Sequence, residues 1–141
     1  MTVIKGSCSC GNIGLSFETR VDLRRVNPRA CDCDFCTLNK VSYFSDNQGV
    51  LHISIKDRSK VNIDRHGSEQ AQFHGCNFCS EFVFVSFILR NQIYAAINTQ
   101  CLPQTTFAEP MLVQPKLLSK QQKLQRWTKL WFNNVKITEN L

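Results

Sequence analysis

The sequence predicts a mainly β protein whose metal-binding cysteines hold its strands together, with one amphipathic helix near the C terminus. Short apolar runs alternate with turn-forming residues, a pattern typical of strands. Apolar residues make up 43% of the 141 positions, with ten Phe among them, which is enough to build a core. Seven of the eight cysteines fall into three tight clusters. A chain of this size does not need disulfides to fold, so the clusters call for another explanation.

Most of the strand predictions come from alternation. Ile13–Glu18 and Val50–Ile55 alternate apolar and polar positions, whereas Phe82–Leu89 is almost continuously apolar and predicts a central strand buried on both faces. Turn signals lie at Asp46–Gly49, at His66–Ser68 and around Asn91. The predicted strands are Val3–Lys5, Ile13–Glu18, Leu23–Ala30, Val50–Ile55, Val61–Arg65, Phe82–Leu89 and Gln92–Asn98.

The last third of the chain has a different pattern. Prolines interrupt Cys101–Lys116, which predicts an extended surface loop, and a short helical turn is predicted after Cys33, through Thr37 to Lys40. Apolar residues recur at helical spacing over Leu117–Phe132, which predicts an amphipathic helix. Its Trp127 and Trp131 either dock the helix onto the sheet or form a binding surface. We interpret residues 1–141 as a single zinc-binding domain, with a core over about 3–98 and an extension whose helix covers about 116–132.

The charge and hydropathy of the sequence indicate where the protein is located and what kind of partner it could bind. The N terminus has no apolar run of signal-peptide length, and no stretch approaches the roughly 18 apolar residues of a membrane span. We therefore expect a cytoplasmic protein without membrane association, in which disulfides do not persist. The net charge of +6, from 17 basic and 11 acidic residues, fits either an anionic partner or a merely soluble basic protein.

The cysteine clusters have the spacing of zinc ligands. Zinc takes four soft or borderline ligands in a tetrahedron, and two cysteine pairs from distant parts of a chain can supply them. A following glycine, here Gly11, eases the turn between the first pair. Such a closed site is structural, and its formation is coupled to folding. We assign this site to Cys8, Cys10, Cys76 and Cys79.

The remaining cluster, Cys31, Cys33 and Cys36, predicts a second zinc site. Three ligands leave a fourth position for an exchangeable group, the pattern of a catalytic zinc, so we expect two zinc ions per chain. Asp32 and Asp34 either accept hydrogen bonds beside these ligands or are simply solvated. The other possibilities are a disulfide framework, a buried apolar role for Cys101, or a closed second site. The fourth ligand of a closed site would be Cys101, His52, His66 or His74.

The order and surroundings of these clusters resemble the glutathione-dependent formaldehyde-activating enzyme family. The matching stretches are Gly6–Ile13, Ala30–Cys36 and Phe73–Cys79, and the resemblance spans about Val3 to Asn98. It implies the bent antiparallel sheets of a β-tent, Mss4-like fold. It also implies a structural zinc on the first four cysteines and a second zinc on Cys31, Cys33 and Cys36 beside a thiol substrate.

The same resemblance implies a carbon–sulfur lyase that joins glutathione to formaldehyde, giving S-hydroxymethylglutathione. Candidates to hold the carboxylates of glutathione are Arg24, Arg25, Arg29 and Lys40. The chain departs from the family beside its metal ligands. Ser80-Glu81 stands where a glycine usually follows the last cysteine, and Thr37–Val41 replaces a basic residue followed by glycine. These departures point to a divergent member that either acts on another thiol or has no activity.

Two rival functions use the same ligands. A non-catalytic zinc module would bind nucleic acid or protein through its basic surface and its Trp-bearing helix. A metal or redox sensor would hold the second zinc loosely. The enzyme needs an exchangeable fourth position at the second zinc, whereas the binding module closes it.

Overall fold

The computed structural model describes residues 2–31, 34–38, 40–65, 70–114 and 117–139, without the side chains of Asp34 and Phe35. Its two α-helices are α1, Asp34–Leu38, and α2, Lys120–Leu130, and three 3-10 turns cover Leu23–Arg25, Arg58–Lys60 and Thr99–Cys101. The strands are β1 Thr2–Ser7, β2 Ile13–Thr19, β3 Arg29–Cys31, β4 Ser42–Phe44, β5 Val50–Ile55, β6 Val61–Asp64, β7 Gln72–Cys76, β8 Phe82–Leu89, β9 Gln92–Asn98, β10 Met111–Val113 and β11 Asn134–Glu139.

The smaller sheet has the order β1-β2-β5-β11. Its strands pair antiparallel, except that β11 runs parallel to β5. Ile13 lies opposite Ile55, and Phe17 lies opposite Leu51. All four side chains are buried because alternate residues of both strands face the second sheet.

The larger sheet has the order β10-β3-β4-β9-β8-β7-β6 and is antiparallel apart from the pair β10 and β3. The central strand β8 is buried from Val83 to Phe87, as its apolar run predicts. Its last two residues, Ile88 and Leu89, are exposed. The prediction of a mainly β fold with a helix near the C terminus is confirmed.

Aromatic residues join the two sheets. The ring of Phe17 lies 5.3 Å from that of Phe44 and 5.8 Å from that of Phe132, and all three are fully buried. Phe132 also exchanges two backbone hydrogen bonds with Ala95 of β9, at 2.9 and 3.0 Å. The chain therefore passes from the larger sheet into β11 of the smaller one through the centre of the core.

Helix α2 covers the outer face of the larger sheet. It begins with a capping box in which Ser119 and Gln122 satisfy each other's backbone N–H groups. Trp127 and Trp131 stack at 4.8 Å, and their rings lie 5.5 and 5.4 Å from Phe87 of β8. The docking interpretation of the two Trp residues is confirmed, and Trp131 is only 6% exposed.

Several boundaries differ from the predictions. The predicted strand Leu23–Ala30 is wrong: a 3-10 turn stands at Leu23–Arg25, where the Asp22 carboxylate caps the Arg24 N–H, and β3 starts only after Pro28. The short helix α1 lies where a helical turn is predicted after Cys33, although it ends at Leu38 rather than Lys40, and β10 interrupts the predicted loop. The sequence patterns did not reveal β4, β7, β10 and β11. The turn predicted at His66–Ser68 lies outside the described residues.

In the described part of the chain, no helix is both long enough and apolar enough to cross a membrane.

Candidate metal centre

The turn after β1 positions the first pair of thiols. Cys8 N–H donates to Ile13 O at 3.1 Å, and Gly11 N–H donates to Cys8 O at 3.0 Å. Gly11 has φ +81°, a conformation that a side chain would disfavour. The Ile13 N–H also approaches Cys8 Sγ at 3.4 Å. This backbone geometry places Cys8 in the interior and Cys10 at the surface.

The turn between β7 and β8 positions the second pair. Cys76 N–H donates to Glu81 O at 2.8 Å, which closes the turn. Ser80 takes the left-handed conformation, with φ +61°, which residues other than glycine adopt uncommonly. This conformation lets the chain turn tightly after Cys79. The amide groups of Phe78 and Cys79 point at Cys76 Sγ and donate to it.

These two turns bring four sulfurs together. The Sγ atoms of Cys8, Cys10, Cys76 and Cys79 all lie within 4.8 Å of one another. The Cys8–Cys10 separation is 3.7 Å and the Cys10–Cys76 separation is 3.5 Å. A tetrahedral zinc with Zn–S bonds of about 2.3 Å would hold its sulfurs about 3.8 Å apart. The donor set and its spacing fit one metal ion, as the sequence predicts for these residues.

The electrostatics of this centre favour a bound cation. Burial raises the pKa of Cys8 to about 12. Burial also raises the pKa of Cys76. The hydrogen bonds from the Cys79 and Phe78 amides and from the neighbouring thiols together have the larger, opposite effect, and the net result is a pKa lowered to about 7. Thiols this close cannot all ionise without a positive charge between them, and a metal ion supplies that charge.

A hydrogen-bonded clamp joins the two turns independently of any metal. The Ser9 N–H donates to Glu81 Oε2 at 2.9 Å, and the Ser9 hydroxyl donates to Glu81 Oε1. Ser9 lies between the first two cysteines, and Glu81 closes the turn of the other two. No local pattern marks a contact between residues 72 positions apart.

The second cluster lies on the outer face of the larger sheet. Half-buried Cys31 ends β3, and buried Cys36 lies on α1 with its Sγ 3.0 Å from the Tyr43 hydroxyl. Both cysteines belong to the apolar cluster that Trp127 and Leu124 of α2 cover. Asp32, Cys33 and the side chain of Asp34 lie outside the described part. The structure thus brings Cys31 and Cys36 into one environment and leaves the three-ligand site a prediction.

The alternative fourth ligands have other surroundings. Cys101 is buried beside the first centre, with its Sγ 3.6 Å from Phe82 O. Burial, and then the charges of Glu81, Cys8 and Cys79, raise its pKa to about 12. It therefore fits the buried apolar role.

The histidines are also engaged elsewhere. His52 lies on the smaller sheet and shares a 2.9 Å hydrogen bond with Thr138. His74 is buried, stacks on Phe84 at 4.1 Å and bonds the Ser86 hydroxyl at 2.8 Å. Burial lowers its pKa to about 4, so it is a neutral core residue. His66 lies outside the described part.

The four basic candidates differ in their surroundings. Arg24 and Arg25 are exposed and flank Asp22, at 3.4 and 3.8 Å. Lys40 is exposed in a turn. Arg29 alone among them is half-buried, and its guanidinium donates to Ser45 Oγ at 2.6 Å.

Fold and site together define a mainly β protein with a candidate four-thiolate metal centre. No family model and no curated protein matches the chain. A crystal structure of a Rhodobacter sphaeroides protein, a structural genomics target, resembles it with a TM-score of 0.56 at 17% identity. The match covers 75% of this chain and 99% of that one. At this identity the likeness shows a shared fold alone.

Proposed function

We propose that the protein is a zinc-dependent carbon–sulfur lyase that acts on a thiol adduct, with glutathione and formaldehyde as the expected substrates. In this proposal zinc fills the first centre as a structural ion. A second zinc binds Cys31, Cys33 and Cys36 and carries the chemistry. The observation that supports it best is the separation of the two clusters. Four thiols converge in one compact group, while Cys31 and Cys36 lie elsewhere, with Cys36 beside a tyrosine hydroxyl.

The reaction needs one bond-forming step. The sulfur of glutathione attacks the carbonyl carbon of formaldehyde and forms the C–S bond. The C=O π electrons move to oxygen, which takes up the equivalent of the proton that the thiol lost on ionising, and this completes the hemithioacetal. A zinc ion at the second site would hold the thiol as thiolate and polarise the carbonyl.

The residues around the second cluster suit this role. Tyr43 contacts Cys36 Sγ and packs edge-on against Phe82 at 6.1 Å, which fixes the position of its hydroxyl. Trp127 and Leu124 are partly buried and pack against the same apolar cluster that contains Cys36 and Tyr43. Apolar surroundings limit the access of water and so strengthen electrostatic interactions within them.

Zinc-edge absorption tests the exchangeable position. We expect glutathione to add a sulfur to the coordination of one zinc in the wild-type chain and to have no effect in Cys36→Ser. Cys101→Ser is the matched control, since this buried cysteine lies beside the other centre, and it should keep the glutathione response. If Cys101→Ser loses the second zinc and glutathione never alters its coordination, the catalytic proposal is wrong.

The rival binding module makes a different prediction. It relies on the net charge of +6 and on a helix whose Trp residues are packed against Phe87. Binding to RNA or DNA that weakens steeply with salt would favour the rival, because phosphate contacts are electrostatic. The enzyme predicts no such binding, together with hemithioacetal formation that depends on Cys36.

A further inference from the structure

A cavity of about 550 Å³ lies between the N-terminal strand and two connecting segments of the chain. Its walls come from β1, from the segment that leads from β2 into the 3-10 turn at Leu23–Arg25, and from the loop after the 3-10 turn at Thr99–Cys101. This volume falls within the range of small-molecule sites, about 300–1,000 Å³. None of the described lining residues is a cysteine, so the cavity is separate from both cysteine clusters.

The backbone holds the three walls together. The Ala108 N–H donates to Val26 O at 2.9 Å, which ties the loop to the segment that follows β2. A Cβ atom on Gly6 of β1 would clash with the Cys101 carbonyl oxygen, so β1 and the start of the loop are in direct contact. The fold therefore forms the cavity without a ligand, as in most small-molecule sites.

Part of the lining is apolar. Leu23 is buried in the core, and Ile4 is half-buried and packs against the same core. Val21 also lines the cavity, and its side chain is 43% exposed. A ligand with an apolar body would remove this apolar surface from water, which is favourable in proportion to the area covered.

The lining also has a net positive charge. It contains two arginines, Arg20 and Arg24, and Asp22 is the one acidic residue among the described lining residues. The Asp22 carboxylate is shared, since it lies 3.4 Å from Arg24 Nε and 3.8 Å from Arg25 Nε. One carboxylate does not neutralise three guanidinium groups, so this part of the cavity attracts an anion.

We propose that the cavity binds a small carboxylate with an apolar body, of the acyl or aryl type. The carboxylate lies at Arg20 and Arg24, because guanidinium groups match it in shape and charge and can bind it through two parallel hydrogen bonds. The apolar body covers Val21 and Ile4. The loop wall adds the hydroxyl of Thr105 as a further donor to the anion.

Fluorescence of anilinonaphthalene sulfonate, a dye that joins an apolar body to an anionic group, tests the cavity in the whole folded chain. We expect the wild type to bind the dye and octanoate to displace it. Octanol, which lacks the charge, should displace it about tenfold less well, and Arg20→Gln and Arg24→Gln should each weaken octanoate about tenfold, the loss of one charge-assisted hydrogen bond. The matched control is Arg25→Gln, because Arg25 also flanks Asp22 but is not among the residues that line the cavity. It should respond to octanoate like the wild type.

Several results would overturn the site. A folded wild type that does not bind the dye excludes it, because the dye is itself an apolar anion. Equal displacement by octanol and octanoate excludes the role of the charge, and an equal loss in Arg24→Gln and Arg25→Gln excludes the cavity as the place of binding. Val21→Asp puts an acid into an exposed part of the lining and keeps the test valid if an arginine variant folds poorly. Octanoate should no longer displace the dye from it, and unchanged displacement overturns the site.

Two further probes define the ligand. Glutathione has two carboxylates but no apolar body, so it should displace the dye poorly and should alter zinc coordination equally in Arg20→Gln and the wild type. Displacement by glutathione as strong as that by octanoate would overturn the apolar ligand and leave the catalytic proposal in place. Octyl phosphate that binds more tightly than octanoate, and loses affinity in the same variants, would overturn our choice of a carboxylate.

Discussion

The two cysteine clusters differ in what they connect. The first takes Cys8 and Cys10 from the turn after β1 in the smaller sheet, and Cys76 and Cys79 from the end of β7 in the larger one. The second takes all its cysteines from one stretch between β3 and β4. An ion in the first centre therefore links distant parts of the chain, whereas an ion in the second closes only a short loop. Closing a long loop restricts the unfolded chain more, so the first should dominate stability.

The largest effect is expected from Cys76→Ser. This change removes a buried ligand that two backbone amides orient, and it leaves three thiols without a complete tetrahedron. Since metal binding and folding are coupled, we expect loss of most of the 5–15 kcal/mol that typically stabilises a domain. Circular dichroism during thermal unfolding, with metal analysis, measures this. An unchanged melting temperature would show that the first centre is not structural.

The matched change in the other cluster is Cys36→Ser. It should leave the first centre loaded and lower the melting temperature far less than Cys76→Ser does. Equal losses from the two variants would remove the distinction between the clusters.

Trp131→Ala is expected to lower stability strongly and to expose Cys36 without affecting the metal in the first centre. Trp131 is 6% exposed, and its ring lies 5.4 Å from that of Phe87, so truncation should cost about 3 kcal/mol. Because Trp131 and Cys36 are buried in the same apolar cluster, the Cys36 thiol should also react faster with a thiol reagent. Urea unfolding and thiol labelling measure the two effects. The metal content of the first centre should not change, and a lost first metal would contradict this division.

A moderate effect is expected from Glu81→Ala, which breaks the clamp with Ser9. Hydrogen bonds to a charged group contribute about 1.5–3 kcal/mol, and this one is exposed, so we expect only about 1 kcal/mol in urea unfolding. The metal should stay bound. Glu109→Ala removes an exposed carboxylate elsewhere and should have almost no effect. If both variants behave alike, the clamp contributes nothing.

The smallest effect has the opposite sign. Ser80 is a non-glycine residue at φ +61°, so Ser80→Gly should relieve strain and raise stability by about 0.5–1 kcal/mol. In Ser54→Gly, within strand β5, the same substitution should lower stability by a similar amount, because glycine weakens a strand interior. The difference between the two midpoints in urea is the measurement. A destabilised Ser80→Gly would mean that the turn does not strain its serine.

Sequence patterns predicted the elements whose own residues carry the signal. Strands β5, β8 and β9 match the predicted bounds because alternation or a continuous apolar run marks each of them. The first centre was predicted from spacing, because paired cysteines in tight turns have few ways to meet. The docked Trp helix was also predicted from its periodicity.

The remaining features depend on distant contacts. Strand β11 pairs in parallel with β5, more than 80 positions earlier in the chain, and β4 has only three residues. The segment Leu23–Ala30 has strand-like residues, yet the Asp22 cap and Pro28 select a turn. The Ser9–Glu81 clamp and the Arg29–Ser45 hydrogen bond appear only once the strands are in place.

Native mass spectrometry of the intact chain tests the difference between the clusters most directly, by counting zinc ions in the wild type, Cys36→Ser and Cys79→Ser. We predict two ions in the folded wild type, one in a folded Cys36→Ser, and a Cys79→Ser chain that shows the broad charge distribution of an unfolded protein. A single ion in the wild type, or a Cys36→Ser chain that unfolds as Cys79→Ser does, would contradict this account.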